Sequence, residues 1–246
     1  IYLGYNWPDV KSMPFVRISR GVHHSADVIE QLNLSNKKWP NRLATFYGDH
    51  DHDGLEEFYT YSLDDTSLFL ESFEYHPLAD SLHFTVNRFI CSANRYKGEP
   101  DIAAPQQYEM IDLNHDGFEE LLFIVNGLYT AEPRGIYVYD IKHDSLWHTQ
   151  TQSMHFRGFT TLKIKDQVFI GGHTGTVQNC NSPLPLYHDH SGWTTLFNSK
   201  LELAFPPVPN KAGYHYDVWS FPINHEGKVH TAAFFLTPRN SDDPVM

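Results

Sequence analysis

The chain has little cysteine: Cys91 and Cys180 are the only two among 246 residues. That excludes a disulfide-dense scaffold, and the residues alone leave a single Cys91–Cys180 bridge open. Basic residues are also scarce, with 18 Lys and Arg against 30 Asp and Glu and a formal net charge of -12. Binding a phosphate backbone needs a concentrated basic face, so a nucleic-acid partner is excluded. Acid-rich loops suit cations instead, while scattered acids also keep a surface soluble. No run approaches the ~18 to 20 apolar residues of a membrane span. The chain opens at Ile1 without a signal-peptide pattern and reads as a segment cut from something longer, with a mature secreted chain the alternative. Zinc-peptidase, serine-hydrolase, Walker and dinucleotide motifs are all missing.

What is present favours strands. Hydrophobic residues make up 41% of the chain, with 17 Phe and 14 Tyr, residues that suit a pleated, half-buried surface. The one credible helix is short, running from Ser25 through Val28, Ile29 and Leu32. Beyond a leading segment over 1–40, extended runs at 42–47, 58–63, 67–75 and 81–92 are separated by turn residues. A polar connection at 94–105 follows, and the order then repeats at 108–111, 121–125, 135–141 and 145–151. A strand pair at 162–170 and a hairpin at 223–230 suggest two more copies. The expected units are 41–92, 106–151, 156–200 and 212–238 within one domain over 1–246.

The centre of each early unit is an acidic loop. Asp49-His50-Asp51-His52-Asp53-Gly54-Leu55-Glu56-Glu57 is echoed by Asp112-Leu113-Asn114-His115-Asp116-Gly117-Phe118-Glu119-Glu120. Oxygen-bearing side chains fall at positions 1, 3, 5 and 9, and glycine at position 6 permits a sharp turn. Calcium needs several oxygen ligands, which a short loop supplies by alternating side chains and turning one carbonyl inward. An EF-hand is excluded, because its position 12 needs a bidentate Glu and here holds Thr60 or Phe123 in strand-like sequence. Without metal, Asx turns are the alternative. The first loop carries four carboxylates against three in the second, so it should bind tighter.

These two loops resemble those of the FG-GAP/VCBS-type repeats of integrin-α-like propellers, where such a loop joins two strands of a blade. The resemblance implies Ca²⁺ on Asp49, Asp51, Asp53, the Leu55 carbonyl and Glu57. It implies a second ion on Asp112, Asn114, Asp116, the Phe118 carbonyl and Glu120. The family usually has Asp at position 9, and its Phe-Gly and Gly-Ala-Pro signatures are not intact here. The expected fold is an all-β, propeller-like repeat of four or five four-stranded antiparallel blades, as its own ring or part of a larger one. The repeat spacing, roughly 55 to 63 residues, is long against the ~40 to 50 of typical blades.

Other features carry less. His188-Asp189-His190, with His173 and His215, invites a zinc reading, set against hydrogen-bonded structural histidines. Residues 171–175 read as a glycine-rich blade turn. Trp147, Trp193 and Trp219 read as fillers between blades, with sugar stacking the alternative. Strand-joining calcium loops are structural, and modest sites fill where calcium is abundant. The expected function is therefore a non-enzymatic, extracellular or periplasmic module that binds a protein or glycan, tethered in a longer receptor. The alternative is a polysaccharide-active lyase or hydrolase on the same scaffold.

Overall fold

The apolar run at residues 121–125 has no polar alternation because both of its faces are buried. Leu121, Phe123 and Val125 pack with Tyr59, Tyr61, Leu68 and Leu70, while Leu122 and Ile124 pack with Phe156, Phe159, Ile170 and Phe197. Successive side chains of a strand point to opposite faces, so a sheet covered on both sides needs apolar residues at every position. The run therefore marks the middle of a three-layer stack.

The structure is a computed structural model that describes residues 2–3, 15–19, 22–24, 46–55, 57–76, 81–103, 107–164, 166–180, 183–209, 217–226 and 228–236. Every helical or extended element among them is a strand, and all their pairings are antiparallel. The helix expected over 25–32 and most of the strand expected at 42–47 lie outside the described residues. A small sheet joins β1 (Tyr2–Leu3), β2 (Phe15–Ser19) and β3 (Val22–His24).

The first full sheet runs β4 (Phe46–Gly48), β5 (Glu57–Leu63), β6 (Ser67–His76) and β7 (Ser81–Ser92), in that order. Two short strands, β8 (Arg95–Tyr96) and β9 (Glu99–Pro100), form the connection. The second sheet repeats the meander with β10 (Tyr108–Ile111), β11 (Glu120–Asn126), β12 (Arg134–Asp140) and β13 (Ser145–His148).

The third sheet opens the same way, with β14 (His155–Ile164), β15 (Gln167–Gly175), β16 (Trp193–Asn198) and β17 (Val208–Pro209). It then gains the hairpin β18 (Asp217–His225) and β19 (Lys228–Leu236), through the bridge Thr174↔Val218. The fourth expected unit is thus a hairpin that extends the third sheet. Its loop shrinks to a tight turn, with Glu226 at positive φ (51°).

Residues 171–175, expected as a turn, lie inside β15. The glycine there answers to packing rather than chain reversal: a Cβ on Gly172 would stand 2.6 Å from Thr195 Oγ1 and 2.7 Å from Phe156 Cε1. Trp193 is buried in the core with Phe156 and Phe197, and Trp147 packs against its edge, as fillers between sheets should. The side chain of Trp219 lies outside the described residues. Cys91 and Cys180 are both free thiols.

Candidate metal centre

The two acidic loops occupy the same place in their sheets. The first loop carries the chain from β4 to β5, closed by the pair Gly48↔Glu57. The second loop carries it from β10 to β11, closed by Ile111↔Glu120. Their backbones match step for step. His52 and His115 both sit at φ 64°, and Gly54 and Gly117 at 91° and 88°, the left-handed region that glycine enters without steric penalty.

Four internal hydrogen bonds match as well, and the second loop adds a fifth, from the His115 N–H to Asp112 Oδ1 at 2.7 Å, where Asp49 Oδ1 has no partner. In the first loop, the N–H groups of His50, Asp53, Gly54 and Leu55 donate to Glu57 Oε2, Asp51 Oδ1, Asp49 Oδ2 and Asp53 Oδ1, at 2.8–3.1 Å. In the second, Leu113, Asp116, Gly117 and Phe118 donate to Glu120 Oε2, Asn114 Oδ1, Asp112 Oδ2 and Asp116 Oδ1, at 2.6–3.2 Å. Each loop thus aims its acids inward with its own amides. Gly48 admits the first loop's His50, whose Nε2 would lie 2.6 Å from a Cβ at that position.

The side chains then diverge. In the first loop, Asp49, Asp51, Asp53 and Glu57 each place one oxygen within 4.8 Å of all the others, a group that could hold a metal ion. Glu57 is 3% exposed, and its Oε1, like Asp49 Oδ1, is buried without a hydrogen-bond partner. Burial pushes the Glu57 carboxyl up to about 7; the His50 N–H opposes this, and Asp51, Asp53 and Asp49 add to it. A buried acceptor left unsatisfied costs about 1–3 kcal/mol. A cation between the four carboxylates would satisfy both oxygens and remove the mutual repulsion.

In the second loop, Asp112, Asp116 and Glu120 do not form such a group among the described residues. Asn114 Nδ2 donates to Glu120 Oε1 at 2.7 Å, so the atom orphaned in the first loop is satisfied here. Lys142 Nζ lies 3.3 Å from Asp116 Oδ2. The Phe118 N–H and then Lys142 hold the Asp116 carboxyl below its ordinary range. Burial still raises Glu120 to about 7, helped by Asp140, Asp112 and Asp116 and opposed by the Leu113 N–H.

Sequence reading missed the groups standing behind each loop. Glu57 faces Glu74 across the β5–β6 ladder, and Glu120 faces Asp140 across β11–β12. Both partners are buried and each meets a histidine: His76 Nε2 contacts Glu74 Oε1, and His143 Nδ1 lies 2.8 Å from Asp140 Oδ2. Only the strand register, absent from a motif search, brings these residues together.

The zinc reading is not supported by the described geometry. His188 and His190 lie in a turn rather than on a strand, with ring centroids 5.6 Å apart, and His188 Nδ1 already accepts from the His190 N–H at 3.1 Å. No group of three metal-binding side chains forms there among the described residues. Asp189, between them, is instead fully buried 2.7 Å from Arg134 Nη1. It also accepts from the Asn179 and Cys180 N–H groups, tying that segment to Arg134 in the second sheet. His173 lies in β15, and His215 is outside the described residues.

No protein-family model matches the chain, and comparison with curated proteins and with solved structures finds no match.

Proposed function

We propose that the chain is a calcium-stabilised, propeller-type binding module of the FG-GAP/VCBS kind, working outside the cytoplasm and recognising a protein or glycan. The observation that carries the calcium reading is the buried, partnerless Glu57 Oε1 facing three aspartates, in a converging group whose four members are all carboxylates. Oxygen donors at alternating positions favour a hard cation that tolerates irregular coordination, which is calcium rather than zinc. Bound there, the ion fastens the β4–β5 corner, and its role is structural. Loops of this strength fill in the calcium-rich extracellular or periplasmic space.

Recognition is supported by an exposed aromatic pair beside the sheet stack. Tyr96 and Tyr129 stack at 4.4 Å, Lys97 Nζ lies 5.2 Å from the Tyr96 ring, and Leu128 is exposed next to them. Rings of this kind, polar at one end and apolar on the face, serve protein and glycan contacts alike. The neighbouring cleft is lined by Ala103, Gln107, Ile124, Asn126, Leu128, His155, Phe156 and Arg157, with no carboxylate among the described residues that line it. That gives the polysaccharide-active alternative no acid pair in this cleft.

Thermal unfolding of the chain in calcium, in magnesium and in chelator tests the proposal. Calcium should raise the melting temperature well beyond magnesium. Equal curves in all three would overturn it.

A further inference from the structure

We propose that Lys142 sets the number of bound calcium ions at one: its ammonium stands in for the ion in the second loop, which is a metal-independent copy of the first. The inference rests on reading the first loop as a calcium site, and its test separates the two. The loops share positive-φ positions and four amide hydrogen bonds, and differ in one, the His115 N–H to Asp112 Oδ1 at 2.7 Å where Asp49 Oδ1 has no partner; the remaining differences lie in side chains.

The side-chain differences agree with one another. Glu120 Oε1 is satisfied by Asn114 where Glu57 Oε1 has no partner, and the second loop's acids do not converge as the first loop's do. Lys142 is also held in position. Its Nζ lies 3.3 Å from Asp116 Oδ2 and 3.8 Å from the centre of the Phe118 ring, a cation–π contact. Phe118 in turn stacks on His52 of the first loop at 4.4 Å.

The sheet delivers the ammonium there. Asp140 lies opposite Glu120, and Lys142 follows it in the β12–β13 turn. The same step in the first sheet leads from Glu74, opposite Glu57, to His76, whose ring contacts Glu74. A tethered ammonium offsets the Asp116 charge with no loss of translational freedom and repels an incoming divalent ion. Calcium dependence is thereby confined to the β4–β5 corner, while the β10–β11 corner keeps its shape without metal.

Calorimetric calcium titration of the full chain counts the ions. The natural sequence should take one equivalent, Asp49→Asn none, and Asp112→Asn still one. Lys142→Met should gain a second, weaker equivalent, and Lys142→Arg, which keeps the cation, should gain none. The Lys142 side chain is 36% exposed, so both substitutions are accommodated; Lys142→Gln is a second neutral variant, and melting curves verify folding. Two equivalents in the natural sequence with one lost in Asp112→Asn, or no gain in folded Lys142→Met and Lys142→Gln, would overturn the proposal. If the natural sequence takes no calcium, the reading of the first loop fails, and the gain or its absence on neutralising Lys142 still decides the role of the lysine.

Discussion

Glu57→Gln separates the cost of the buried acid from its use. Glutamine keeps the volume and leaves an acceptor for the His50 N–H, while removing one of the four carboxylates that lie within 4.8 Å of one another. In the metal-free protein at pH 8 the change removes an ionised group that burial disfavours, so the melting temperature should stay level or rise. Calcium should reverse that order. With a dissociation constant of ~0.1–1 mM, the range of extracellular calcium modules, 10 mM calcium stabilises the natural protein by about 1.4–2.7 kcal/mol. At roughly 2–4 °C per kcal/mol for a chain of this size, the melting temperature rises by ~3–11 °C. Losing a charged ligand costs about 1.5–3 kcal/mol of binding, so the variant should keep at most half of that rise. Scanning fluorimetry of both proteins in calcium and in chelator makes the comparison. An equal calcium increment in the two would refute Glu57 as a ligand. A variant that melts early without calcium yet keeps the full increment would make Glu57 a folding residue only.

Proton linkage should follow from the same carboxyl. Glu57 titrates at about 7 in the fold against an ordinary 4.5, so the folded chain holds a proton that the unfolded chain releases. That contribution to metal-free stability is whole below pH 4.5 and is lost as pH rises through 7. Calcium competes with the proton, so its affinity should grow from pH 6 to pH 8, and a flat calorimetric profile over ~2 pH units would contradict this. Arg134→Met leaves Asp189 buried at 0% exposure without its cation and should cost about 3–5 kcal/mol in urea unfolding. Burial alone would raise Asp189, but Arg134, the Cys180 thiol and the Asn179 N–H hold it below 3.8; its stabilisation is present above that pH and lost below it. A cost under ~1 kcal/mol would mean that the pair is not a clamp. Leu121→Ala and Leu122→Ala, both fully buried on opposite faces of β11, should each cost about 2–5 kcal/mol, and Leu186→Ala, 70% exposed, under about 0.5. Indifference to either β11 substitution would undo the three-layer stack.

Local chemistry was legible in the residues themselves. Strand content, the order of the extended runs and both acidic loops follow from aromatic and β-branched runs broken by Asp, Asn and Gly, because turn conformations and side-chain alternation are properties of a few neighbouring residues. Even the positive φ at Gly54 and Gly117 was implied by glycine at the sixth position. Glycine misled at 171–175, where one absent side chain makes room for a neighbouring strand as readily as for a turn.

Sequence alone, then, determined that this is a strand-built chain with two similar acidic loops. It ranked the first loop as the tighter site by carboxylate count, but could not say what the fold sets against each group of oxygen donors. Tertiary structure decided that. Antiparallel register sets Glu74 opposite Glu57 and Asp140 opposite Glu120, and carries Lys142 to Asp116, while the four acids of the first loop converge around a partnerless buried oxygen. The physical reason is range: a turn is shaped by adjacent residues, whereas the charge that balances a carboxylate comes from whichever side chain the sheet brings within a few ångströms, however distant along the chain.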